Sequence, residues 1–132
     1  TVLAGKTPYS ITYAEVSYGT KYNLKATAVG NASGNFALPT GAATAAFLGS
    51  STVDAKGIFK FDYATKEAGA YTLGIITYML GDSDYKDKAA VPAIKQWANL
   101  IISPACTDLA PDFIPITGNL KKYADAAIAK LG

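Results

Sequence analysis

The chain has 132 residues, half of them apolar and 17% charged. It is therefore long enough for one domain with a real core and too apolar for a disordered tail. Its net charge of +2 is spread over twelve scattered lysines, with no arginine or histidine; this excludes a basic stripe for nucleic acid, guanidinium forks on an anion, and imidazole as base or metal ligand.

Residues 10–18 (SITYAEVSY) are rich in β-branched and aromatic side chains and predict a strand, closed by Gly19. Residues 24–29 predict a second short strand, and the polar stretch 30–35 a loop. The alanine-rich residues 40–48 follow Pro39 and predict a short helix. Ile58, Phe59 and Phe61 belong to an extended segment. Residues 71–80 (YTLGIITYML) are nearly all apolar and predict a central strand covered on both faces.

A polar turn over 81–87 leads into the clearest helix, residues 88–102. Its apolar positions Val91, Ile94, Trp97, Ala98, Ile101 and Ile102 recur at offsets of three and four. Ser103-Pro104 stops it, because proline cannot continue the hydrogen-bond ladder. Residues 106–118, with Pro111 and Pro115, read as an ordered surface loop. Residues 119–131 form a last amphipathic helix with Asn119 as its N-cap. No internal repeat and no low-complexity linker is evident, and no apolar run is long enough to cross a bilayer.

Sites of chemistry are sparse. Asn31, Ser33 and Gly34 lie in a glycine-bearing loop whose backbone N–H groups are a candidate anion nest, although such loops are mostly turns. Asp82, Asp84 and Asp87 crowd one turn, but the glycine and glutamate of a calcium loop are missing, so the turn reads as solvated and as a source of negative charge before the next helix. Glu15 is an acid among apolar strand neighbours with no second carboxylate near it in sequence. Trp97, Tyr78 and Tyr123 read as core residues more simply than as a sugar-stacking surface. No histidine and no G-x-S-x-G are present for a hydrolase triad, so no catalytic residue, cofactor or metal site is expected. Cys106 has no partner for an internal disulfide and is expected as a buried free thiol or as half of a bridge to another segment.

In order, these segments resemble the C-terminal part of the phosphate-binding subunits of ABC uptake systems. SITYAEVSYGTKYNL is similar to the segment opened by a P-G-(A/S)-I-G-Y-(V/A)-E motif, and AGAYTLGIITYML to an A-Y-P-I-x-x-x-T-Y strand. DKAAVPAIKQWANLIIS resembles an L-x-x-F-L-x-W helix, and LAPDFIPITGNLKKYADAAIAKL a closing A-x-x-x-Y-x-P-L-P loop and terminal helix. Tyr9 stands where that family usually has glycine, Thr12 replaces the following glycine, and Leu73-Gly74 replaces Pro-Ile. The resemblance implies an α/β fold: a partial type II periplasmic-binding-protein-like lobe, with a mixed sheet and flanking helices. Residues 1–132 would form a single module, with a crossing strand region over about 1–29 and the lobe over about 30–132.

It also implies a non-catalytic, extracytoplasmic binding module, periplasmic, cell-surface or secreted. The family grips its anion with hydroxyl loops, an aspartate, an arginine and a G-S-G-T-S helix start, all upstream of the matched region. No phosphate-contacting residue therefore carries over. The expected partners are the N-terminal part of the same precursor or a second copy of the chain, with phosphate bound only if the missing loops are supplied, and no nucleic acid. The alternative class is a secreted structural, adhesion or carbohydrate-binding domain on the same lobe.

Overall fold

The computed structural model describes residues 1–106 and 113–132. Those residues form a small mixed α/β domain with four α-helices and two separate antiparallel hairpins. The helices are α1 (Val16–Lys21), α2 (Gly41–Gly49), α3 (Val91–Ile101) and α4 (Gly118–Ala129). A 3₁₀ turn at Ala4–Lys6 precedes them. The strands are β1 (Val29–Gly30), β2 (Phe36–Ala37), β3 (Thr52–Val53) and β4 (Phe59–Lys60). No helix among the described residues is long and apolar enough to cross a membrane.

The two hairpins are built alike. In the first, Val29 pairs with Ala37 and Gly30 with Phe36; in the second, Thr52 pairs with Lys60 and Val53 with Phe59. Each turn starts at an Asx residue and carries a left-handed glycine three positions later: Asn31 with Gly34 (φ 83°) and Asp54 with Gly57 (φ 82°). The backbone bonds also match. Gly34 and Gly57 donate to the carbonyls of Asn31 and Asp54, while the amides of Asn31 and Asp54 donate to the carbonyls of Asn35 and Ile58. The Asx Oδ1 accepts from the amides two and four residues on in both turns. The sequence N-A-S-G-N-F at 31–36 thus recurs as D-A-K-G-I-F at 54–59. The expectation of no internal repeat is corrected: the repeat is a single turn, too short to register as periodicity, and its mechanism is the Asx turn with a glycine where φ must be positive.

α2 follows its prediction closely, with the Thr40 hydroxyl accepting from the Ala43 amide at 3.2 Å as N-cap. It carries the first core, Phe47 and Leu48 with Ala70, against which Phe61, Ile76, Ile114 and Leu120 pack. Phe47 stacks on Phe61 (5.8 Å) and tilts against Tyr63 (5.5 Å), and Phe59 reaches Tyr78 edge-on at 6.4 Å. The second core is Ala98, Ile128 and Leu131, with Tyr85, Ile94 and Ile102 around it. α4 joins the two cores, contacting α2 and α3.

Several expectations need correction. Residues 10–18 form no strand: 10–15 are irregular, and from Val16 the chain coils into α1. The crossing strand region over 1–29 therefore reduces to two short helical pieces, with only Val29 in a ladder. Residues 24–28 are likewise unpaired. No mixed sheet is present among the described residues, because residues 71–80 pair with no strand. β-branched composition favours extended backbone, but a strand exists only where a neighbour supplies the ladder.

α3 begins at Val91 and not at Lys88. Pro92 lies at its second position, where a missing N–H costs nothing; a helix from Lys88 would set the proline ring against the Lys88 carbonyl. α4 begins at Gly118, whose φ of 57° suits glycine, so Asn119 lies inside the helix and Thr117 occupies the cap position. The loop expected over 106–118 falls partly outside the described residues.

Candidate functional site

The polar loop 30–35 is the most structured of the predicted sites. The Asn31 carboxamide holds it from within. Its Oδ1 accepts from the amides of Ser33 (3.1 Å) and Asn35 (3.3 Å) and from the Ser33 hydroxyl (2.5 Å). Its Nδ2 is shared among the carbonyls of Glu67 (3.3 Å), Ala68 (3.1 Å) and Ala70 (3.0 Å). Lys66 Nζ donates to the Ala32 carbonyl at 2.9 Å, a second tie between the same two segments. The amides of Ser33, Gly34 and Asn35 are thus spent on Asn31. The structure brings Asn31, Ser33 and Gly34 together as a clamp between the first hairpin and the 67–70 turn. In this arrangement those amides turn inward, away from any anion. Sequence reasoning found the loop but not the clamp, whose partners lie 36 to 39 residues away.

The three aspartates of the 82–87 turn serve local backbone. Asp82 accepts from the Asp84 amide (2.9 Å) and Asp87 from the Ala89 amide (3.0 Å), while Asp84 pairs with Lys88 at 2.7 Å in solvent. They do not converge, and no group of three or more metal-ligating side chains occurs among the described residues. The negative charge also falls short of the helix, which opens three residues after Lys88 with no acid in its first turn. Glu15, expected inside a strand, is exposed at the N-terminal end of α1 and makes no side-chain cap bond. Cys106 is unpaired and half-buried.

The aromatic residues expected in the core are displaced from it. Trp97 is 55% exposed, and Tyr78 and Tyr123 are each somewhat under half exposed. α4 covers only the Ile94–Ala98–Ile102 line of α3, so Trp97, about 100° round the helix from Ala98, faces away. Tyr123 contributes instead to a shallow depression of about 230 Å³ between the β3–β4 turn and α4, rimmed by Asp54, Lys56 and Lys130. The Asp54 carboxylate there is bonded to the amides of Lys56 and Ile58. A second depression of about 280 Å³ lies beside the 3₁₀ turn, lined by Leu3, Thr7, Ser10 and Ile11 among others. Both are open at the surface, unlike the concave pockets that bury most of a small ligand.

Backbone strain marks one further position. Tyr9 has a φ of 62° with its ring fully exposed, and Asn23 has a φ of 52°. Asparagine tolerates the left-handed region, whereas a bulky aromatic residue there is held against its preference. No family profile, no curated protein and no solved structure matches this chain.

Proposed function

We propose that this chain is a non-catalytic, extracytoplasmic module, the C-terminal part of a phosphate-binding protein of the type II periplasmic-binding-protein kind, without an anion site of its own. The observation that carries the reading is Tyr9. The resemblance sets a glycine at this position, and the backbone there has a positive φ (62°), which glycine adopts readily and a bulky aromatic residue does not. The support rests on Tyr9 alone, since Thr12, at the family's second glycine, has no positive φ.

The chemistry of the described loops is compatible with that role. Their polar groups organise turns, and the two lysines that share a depression, Lys56 and Lys130, lie on its open rim. Gripping a phosphate would fall to hydroxyl loops, an arginine and a helix N-terminus contributed by other polypeptide, where backbone N–H groups and the helix dipole favour an anion.

The direct test is the reading frame that encodes the chain. Upstream of Thr1 it is expected to specify those hydroxyl loops, an arginine and a G-S-G-T-S segment before a helix; a frame without them would remove the proposal. A second test addresses Tyr9 itself. Tyr9→Gly is expected to raise stability by about 1 kcal/mol by relieving the left-handed strain, and Tyr9→Ala to bring no such gain. Equal effects of the two substitutions in urea unfolding would show that no glycine-type position exists there.

A further inference from the structure

Residues 72–81 run through the molecule without a ladder. Apart from a turn at residues 72–73, no backbone N–H or C=O in this stretch bonds the backbone of another segment among the described residues. The stretch is nevertheless half anchored. Gly74 lies so close to α2 that a Cβ on it would meet Thr44 at 2.7 Å, and Ile76 packs on the Phe47 core. The alternate residues point out: Leu73 is 63% and Ile75 81% exposed, with Thr77 and Met79 exposed after them, and beyond Ile76 the inner side opens as well. An inner face packed as far as Ile76, an open apolar outer face and unbonded backbone together describe a strand awaiting a neighbour.

The surface area gives the scale of what is uncovered. The chain exposes 9514 Å². A compact monomer of this mass exposes about 6,600 Å². Covering only half of the excess on each of two chains would bury about 2,900 Å² in total, within the range of obligate homodimers. Charge does not oppose an identical partner. From Ala68 to Gly81 there is no charged residue, so antiparallel pairing of this segment with itself sets no like charges opposite each other in any register within it.

We propose that a second copy of this chain is the partner, the two copies pairing antiparallel along residues 72–80 about a two-fold axis. Such pairing supplies N–H and C=O partners to both copies at once and sets Leu73 opposite Met79 and Ile75 opposite Thr77 of the other copy, all four exposed in the single chain. This inference is independent of the phosphate reading, and its test contains no phosphate.

Sedimentation equilibrium of the intact chain at micromolar concentration is expected to show a dimer. Ile75→Lys changes an outward side chain, and with the fold retained by circular dichroism it is expected to weaken association severalfold by setting two like charges diagonally across the two-fold axis. Amide exchange on the unaltered chain gives an answer that does not depend on any variant. Protection of residues 72–80 should rise as the chain is concentrated through the dimerisation range. A monomer throughout, a dimer indifferent to Ile75→Lys, or a dimer in which these amides stay unprotected would each overturn the proposal.

Discussion

Asn31 shows how much one side chain settles in a loop that has the composition of a simple turn. Its carboxamide uses both ends, accepting from the loop and donating to the 67–70 carbonyls. Asn31→Ala is expected to cost about 2 kcal/mol in urea unfolding, since carbonyls and amides lose a part-buried partner. Asn31→Asp should cost at least as much, because it keeps the acceptor but turns a carboxylate toward three carbonyls. A benign Asn31→Asp would mean that the Nδ2 contacts contribute nothing. Two glycines make a second residue-scale contrast. Gly74→Ala would press a Cβ on Thr44 at 2.7 Å and is expected to destabilise by about 1–3 kcal/mol. Gly49→Ala, at the end of α2 with open space around it, is expected to stabilise by about 0.5–1 kcal/mol. Thermal unfolding of the pair checks both signs. The Asn31 and Gly34 of the first turn were legible in the sequence, whereas the matching Asp54 and Gly57 of the second went unread. The partners of Asn31 were not, because nothing local links residue 31 to residues 67–70.

At the scale of elements, the sequence was informative wherever a helix carries its own hydrogen bonds. α2 was legible from its alanine content between Pro39 and Gly49, although Thr40 proved to be its cap and Gly49 its last residue. α3 was displaced by three residues because the proline rule was applied at its end and not at its start, where Pro92 sets the first turn. The strand assignments fared worse for a physical reason. A strand's bonds belong to its neighbour, so residues 10–18 and 71–80 have strand composition without being strands here. The α3 face was read too wide as well, since one neighbouring helix covers only one line of side chains, and Trp97 was left outside it. α4 is the element on which the packing turns, touching the first core through Leu120 and the second through Ile128. Ile128→Ala is accordingly expected to cost about 2–4 kcal/mol by opening a cavity against Ala98 and Leu131. Trp97→Ala, despite removing a larger side chain, should cost less. Denaturant melts that rank the two in the opposite order would show that the exposed face of α3 is covered in solution.

The whole molecule has two small cores sharing one helix and, among the described residues, a single large side chain, Phe47, that is fully buried. An uncovered surface of this extent fits a module that works in company. Composition had pointed the same way through the apolar residues 71–80, although for a different reason: they were expected to be central in a sheet already present. Candidate chemistry was legible chiefly as exclusion. A chain with no arginine and no histidine has few means to hold an anion, and its polar loops are folded onto themselves. The central claim is that the module depends on other polypeptide for its ligand. Titration calorimetry with inorganic phosphate at neutral pH, run on the chain alone and on the product of its complete reading frame, tests this most directly. The expected result is no saturable heat from the chain alone and tight, stoichiometric binding by the complete product. Micromolar binding by the chain alone, or none by the complete product, would contradict it.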